Sequence, residues 1–301
     1  MYANKAQLLQ LARDTLAHIN NDGPRPTMPD TFGIARRSKH FDGIASAFPR
    51  ELSAWARSWA KFEKFLDTGV PVWKIFANGN DKLPFKTFSA LPLITCPGAG
   101  ACLEWCYSFK AWRFANAYFR QLQNTVLLAT TQGRTHIMRE FRDIPHGVDL
   151  RLYVDGDMDS LSTMRYWFDL INSRPDISTY GYSKSWQLFL DWHDAGREFP
   201  TNYLLNASSG SRYDTAMLGR IQTLPVYRGT FDALPVSHKM PDRRVNPKGF
   251  TVWAKELRDT ARTMGMGKVW ACPGKCGDCT PTGHACGSRK FQNIPVVIGL
   301  H

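Results

Sequence analysis

All seven cysteines of this 301-residue chain fall in two short loops rich in glycine and proline. The first reads Cys96-Pro-Gly-Ala-Gly-Ala-Cys102-Leu-Glu-Trp-Cys106, and the second Cys272-Pro-Gly-Lys-Cys276-Gly-Asp-Cys279, with Cys286 following after Thr-Pro-Thr-Gly-His-Ala. Scattered cysteines would suggest packing or disulfides, whereas thiols gathered in turn-rich loops suggest metal ligation. An odd count and a chain long enough to bury a core argue against a disulfide framework. Soft thiolates suit zinc and iron–sulfur clusters. The first loop holds three cysteines and no histidine, so it cannot close a tetrahedral zinc site alone. Three thiolates suit a cubane with one iron left without a ligand from the loop. The second loop has four thiols and can close either a zinc site or a [4Fe–4S] cluster. Its three-then-two spacing is that of iron–sulfur loops. Each loop holds its own cluster, or one cluster takes ligands from both.

The net charge of +12 and pI near 9.5 favour a polyanionic or phosphorylated partner, nucleic acid among them. Arg36 and Arg37, with Arg243 and Arg244, are the candidate contacts. The competing reading is a solvated surface that keeps the protein in solution. No helix-turn-helix, finger or RNA-recognition motif is present. No run of eighteen apolar residues predicts a membrane helix, and the N-terminus lacks the layout of a signal peptide. With unpaired thiols, this predicts a cytoplasmic protein.

These loops need a scaffold. Leu8, Leu9, Leu11, Leu16 and Ile19 predict an amphipathic helix, and Trp55, Trp59, Phe62 and Phe65 line a second. Residues 1–84 read as an N-terminal helical extension. Residues 85–301 alternate. Phe88 to Thr95 reads as a strand entering the first cysteine loop, and Trp105 to Thr131 as one long helix. Strands follow at 148–154, 177–182 and 203–207, then two short ones near Val226 and Val236, and one at 268–271 running into the second loop. Helices are expected at 160–172, 183–193, 213–218 and 253–263. This order predicts an α/β fold, a parallel-stranded barrel or partial barrel. Sites in such folds lie at the carboxyl ends of strands. Both cysteine loops, Asp155-Gly-Asp157-Met-Asp159, Ser183-Lys184-Ser185 and Ser208 to Arg212 are all placed there. Closure of the barrel would bring the two cysteine loops together. The aspartates read equally as an acidic metal site or as a turn capping a helix.

A cysteine trio after an early strand, Trp105 and Tyr107 flanking its last cysteine, and a later Gly-Asp loop resemble the radical S-adenosylmethionine superfamily. A narrower resemblance is to gene product 88, a family of phages and plasmids. Its Cys-Pro-Gly…Cys…Cys-Tyr loop corresponds to Cys96–Tyr107, its Gly-Asp-x-x-Ser segment to Gly156–Ser160, its Tyr-x-Lys-Ser to Tyr182–Ser185, and its terminal cysteines to Cys272–Cys286. The resemblance to the superfamily implies that Cys96, Cys102 and Cys106 bind a [4Fe–4S] cluster whose open iron chelates S-adenosylmethionine. The 5′-deoxyadenosyl radical it implies would act on a nucleotide, nucleic acid or peptide. It further implies that Asp155 or Asp157 receives the cofactor amine, and that Lys184 or Arg212 pairs with its carboxylate. The superfamily's spacing is three then two; here the trio is spaced five then three, and three-then-two occurs at Cys272, Cys276 and Cys279. A radical-type barrel with a fourth protein ligand would bind no S-adenosylmethionine. The alternative is a non-catalytic iron–sulfur or structural zinc protein bound to a polyanion. A phage origin would place the protein in the host cytoplasm.

Overall fold

A computed structural model describes residues 5–28, 48–80, 83–276, 279 and 284–300, without the side chains of 48–52 and 110. Arg36 and Arg37 lie outside the described residues. The chain divides into two compact units. One comprises 1–76, 89–95 and 105–143, and the other 77–88, 96–104 and 144–301. The helical unit is therefore discontinuous in sequence.

The helical unit contains α1 (Lys5–Ile19), α2 (Phe48–Thr68), α4 (Ser108–Ala111), α5 (Ala115–Ala129) and α6 (Thr131–Arg142), while the one-turn α3 (Cys102–Trp105) spans a unit boundary. Its core is aromatic. Trp55, Trp59 and Phe62 of α2 close on Phe119 of α5 at ring-centroid distances of 5.5, 5.9 and 5.3 Å. The long helix expected over 105–131 is instead interrupted three times, at 106–107, 112–114 and 130. Phe114 is extended before α5. Thr130 is extended after it, and its hydroxyl accepts from Gly133 N at 3.1 Å, capping α6. The strand expected over 88–95 is also absent as such. Residues 89–95 turn onto α5, where Asn124 Nδ2 donates to the Ser89 carbonyl (2.9 Å) and Leu91 N to Thr125 Oγ1 (2.9 Å). Only β1 (Lys86–Thr87) is assigned there.

The second unit is built on seven parallel strands: β1, β2 (Asp149–Leu152), β3 (Ser178–Ser183), β4 (Tyr203–Ser208), β5 (Tyr227–Pro235), β6 (Trp270–Ala271) and β7 (Val296–Leu300). Their order is β1-β2-β3-β4-β5-β7-β6. The sheet curls into a half-barrel. Phe85, beside β1 at one edge, and Trp270, in β6 at the other, pack into one cluster on the concave side. First and last strands are not neighbours, so the barrel does not close. One strand replaces the two expected near Val226 and Val236. β7, for which no strand was expected, inserts between β5 and β6. The second cysteine loop is thus the β6–β7 crossover, laid across the concave face.

The convex face is covered by α7 (Leu161–Asn172), α8 (Trp186–Asp194), α9 (Thr215–Gln222) and α10 (Pro247–Thr263). Tyr203 meets Phe168 of α7 and Phe189 of α8 at 5.4 and 6.4 Å, and Val297 and Leu234 pack with Trp253 and Leu257 of α10. The α7 cap is Ser160, whose hydroxyl accepts from Thr163 N at 3.2 Å. Among the described residues no helix is long and apolar enough to cross a membrane.

Candidate functional site

Parallel strands alternate their side chains, so β2, β3 and β4 send Asp149 and Arg151, Tyr180 and Tyr182, and Leu204 and Asn206 to the concave face. In β5 the register slips opposite Leu205 and Asn206, leaving Arg228 as an extra residue. Such a bulge re-aims a side chain. Here it turns a guanidinium inward, where Arg228 is fully buried. Its Nε donates to Asn206 Oδ1 at 2.8 Å and its Nη1 to the Ile294 carbonyl at 2.7 Å; Nη2 also bonds Asn206 Oδ1. Among the described residues it forms no ion pair, although Asp232 and Cys286 lie within its field. Arg151 lies over the Tyr182 ring, 4.5 Å from its centroid.

The thiols of Cys272, Cys276, Cys279 and Cys286 gather on this face and act on one another electrostatically. Cys272 follows β6 directly, and its N–H continues the ladder to the Val297 carbonyl at 2.8 Å. Its Sγ accepts from Gly274 N at 3.4 Å, and Cys279 Sγ from Ala285 N at 3.3 Å. Cys286 sits in a one-turn 3-10 helix at Ala285–Gly287, anchored by Asn206 Nδ2 on its carbonyl at 3.0 Å. Burial, reinforced by neighbouring sulfurs, pushes the Cys272 thiol up to about 12. Cys276 is pushed up to about 11, chiefly by burial, with Arg151 opposing. Burial raises Cys286 too, against the pull of Arg228 and a hydrogen bond from Tyr182. A proton-free form of this set needs positive charge close by. Among the described residues, no three His, Cys, Asp or Glu side chains converge closely enough to hold a single metal ion.

His284 was not singled out in the sequence, and it organises this loop. Its ring lies between Phe85 and Tyr180, each 4.5 Å away centroid to centroid. Nδ1 accepts from Gly287 N at 3.0 Å, so the proton sits on Nε2, which donates to Asp149 Oδ2 at 3.1 Å. With both nitrogens engaged, it positions Cys286 rather than ligating. The signal available in sequence was a histidine two residues before a cysteine in a turn-rich loop.

The first cysteine loop lies at the carboxyl ends of β3 and β4. Arg212 N donates to the Gly98 carbonyl (3.0 Å), and Gly100 N and Cys102 N both donate to the Gly210 carbonyl (3.0 and 3.2 Å). A Cβ on Gly98 would lie 1.7 Å from the Lys184 carbonyl oxygen. These glycines permit backbone-on-backbone packing against the ends of β3 and β4. Cys102 is buried and Cys96 half-buried, while Cys106 belongs to the helical unit.

Of the four residues predicted to read a cofactor, Lys184 and Arg212 lie against this loop, and Asp157 holds the turn that carries Lys184. Asp157 is buried, and its carboxylate accepts from Met158 N (2.8 Å), Lys184 N (2.7 Å) and Ser185 N (3.2 Å). Burial raises its pKa against those donors. It fixes the turn after β3. Lys184 Nζ donates to Ser208 Oγ at 2.8 Å, joining the ends of β3 and β4. Arg212 is exposed, with Nη1 donating to the Pro97 carbonyl at 3.4 Å, and Asp155 is buried just past β2. Arg243 and Arg244 are exposed ahead of α10, with Arg243 over the Phe250 ring at 5.7 Å.

A family model described as gene product 88 matches residues 71–291. The chain belongs to the gene product 88 family. The match takes in both cysteine loops and six of the seven strands, leaving β7 outside. No curated protein and no solved structure matches it.

Proposed function

We propose that this gene product 88 protein is an iron–sulfur protein whose Cys272, Cys276, Cys279 and Cys286 ligate a [4Fe–4S] cluster against the concave sheet face. The observation that carries the reading is the gathering of four thiols on a surface lined by Arg151 and Arg228. Thiolates at Cys272, Cys276 and Cys286 are unfavourable alone, since burial and mutual repulsion hold their protons on. Metal binding displaces those protons, and the guanidiniums offset the remaining negative charge. Bound there, the cluster supplies one-electron chemistry or structural cross-linking. The chain's own part is to hold the four sulfurs, keep water from them, and balance their charge.

The test is anaerobic purification with iron, acid-labile sulfide and zinc analysis of the wild type and Cys286→Ser. Brown protein with iron and sulfide in similar amounts, both lowered by the substitution, is expected. Stoichiometric zinc without sulfide would assign the four thiols to structural zinc.

The finer reading, radical chemistry with S-adenosylmethionine, rests on Cys96, Cys102 and Cys106, three thiols that would leave one iron open. Arg212, beside that loop, is the group available to a cofactor carboxylate. Binding of S-adenosylmethionine to the reconstituted chain, lost in Cys96→Ser, is its expected signature.

A further inference from the structure

Two sulfurs of the second loop accept backbone hydrogen bonds, and the other two lie beside tyrosine hydroxyls. Gly274 N–H points at Cys272 and Ala285 N–H at Cys279. The Tyr182 hydroxyl serves Cys286, and the Tyr180 hydroxyl faces Cys276 and favours its thiolate. Tyr180 is 1% exposed, and its hydroxyl has no partner of good hydrogen-bond geometry among the described residues. The Trp270 Nε1–H, on the same face, is likewise buried without one. Buried donors are ordinarily paired, so orphaned donors in a cluster with thiols mark acceptors that arrive with a ligand. Arg151 over the Tyr182 ring and Arg228 beside Cys286 add positive charge to the same surface.

Resting on the iron–sulfur reading, we infer that Tyr180 and Tyr182 tune the redox potential of the cluster, making this a centre that accepts one electron rather than a structural staple. The reason is charge. One electron from a low-potential one-electron donor, such as a reduced flavin or another iron–sulfur protein, makes the cluster one unit more negative. Its sulfurs then become better acceptors. Donors and cations already aimed at them stabilise the reduced form more than the oxidised one, and the potential rises. The low dielectric of the buried face strengthens the effect.

The experiment uses the full chain, reconstituted anaerobically with iron and sulfide, as wild type, Tyr180→Phe and Tyr182→Phe. Midpoint potentials come from a dithionite titration followed by electron paramagnetic resonance, and melting temperatures of the metal-free chains are measured beside them. Each phenylalanine should move the midpoint to more negative potential with iron content unchanged. Metal-free Tyr180→Phe should melt no lower than wild type, because the hydroxyl lacks a well-formed bond in the fold. A purely structural tyrosine would leave the potential where it was. Clusters that load fully in both variants with an unmoved midpoint would overturn this inference alone. A chain that takes up no iron and sulfide would overturn the cluster reading and this inference with it.

Discussion

His284 and Gly287 show how closely single residues define the candidate centre. A methyl group on Gly287 would lie 2.0 Å from His284 Cε1. The imidazole has little room to yield, with Phe85 on one side, Tyr180 on the other, and both nitrogens bonded. Gly287→Ala should therefore cost about 1–3 kcal/mol, the usual range for overpacking, and should lower iron content as Cys286 shifts. A urea denaturation midpoint equal to wild type would contradict this. At this scale the sequence was partly legible. The cysteines stood out because thiols in turn-rich loops have few other uses. Arg228 did not, because its role depends on a bulge that no local pattern announces. His284 did not, because its partner Asp149 lies 135 positions away in sequence.

Glycines also separate elements held by close approach from elements merely tolerating them. Gly98 sits where the first cysteine loop presses on the backbone after β3, and any side chain there meets the Lys184 carbonyl. Gly219 lies inside α9, and a methyl group on it would meet nothing within 4 Å. Gly98→Ala should destabilise by about 3 kcal/mol, since backbone cannot move aside as a side chain can. Gly219→Ala should stabilise by about 0.5–1 kcal/mol by removing helix-opposing backbone freedom. Equal effects of the two in a thermal or urea series would refute the assignment of Gly98 to packing. The same locality governs what was readable. Helices α7 and α8 and strands β2 to β4 carry their own periodicity and lie close to where the sequence placed them, while α10 begins six residues earlier than expected, at the Asn246 cap. The segment 88–95 has strand-like residues, but Asn124 and Thr125 capture its backbone, a tertiary effect invisible locally. β7 is a short apolar run at the end of the chain. Its place between β5 and β6 is decided by the crossover that carries the cysteines.

For the whole molecule, charge is the property most open to test. Between 239 and 268 there are eight Lys and Arg against three Asp and Glu, a large share of the net +12. Lys248, Lys255, Arg258 and Arg262 are exposed along α10, spanning about 21 Å at the helical rise, and Arg243 and Arg244 precede its first turn. Aligned cations of this kind release counterions when they meet phosphates, which drives association with nucleic acid. Binding to RNA or DNA should be detectable at low salt and persist near physiological salt if this face is an interface. Each phosphate contact contributes about 0.7–0.9 to the slope of log affinity against log salt. Arg243→Glu with Arg244→Glu should therefore flatten that slope by about 1.5 while leaving the melting temperature unchanged, because both side chains are exposed. Arg36→Glu with Arg37→Glu, reversed separately, should flatten it similarly only if that stretch contacts the same polyanion. Fluorescence anisotropy with single- and double-stranded probes across a salt series reads both quantities. Affinity that vanishes by moderate salt, equal for every strand type and indifferent to the reversals, would reduce the charge to a solvated surface. A single-strand preference that survives salt would instead connect the basic face to the proposed iron–sulfur chemistry, with nucleic acid as substrate rather than counterion.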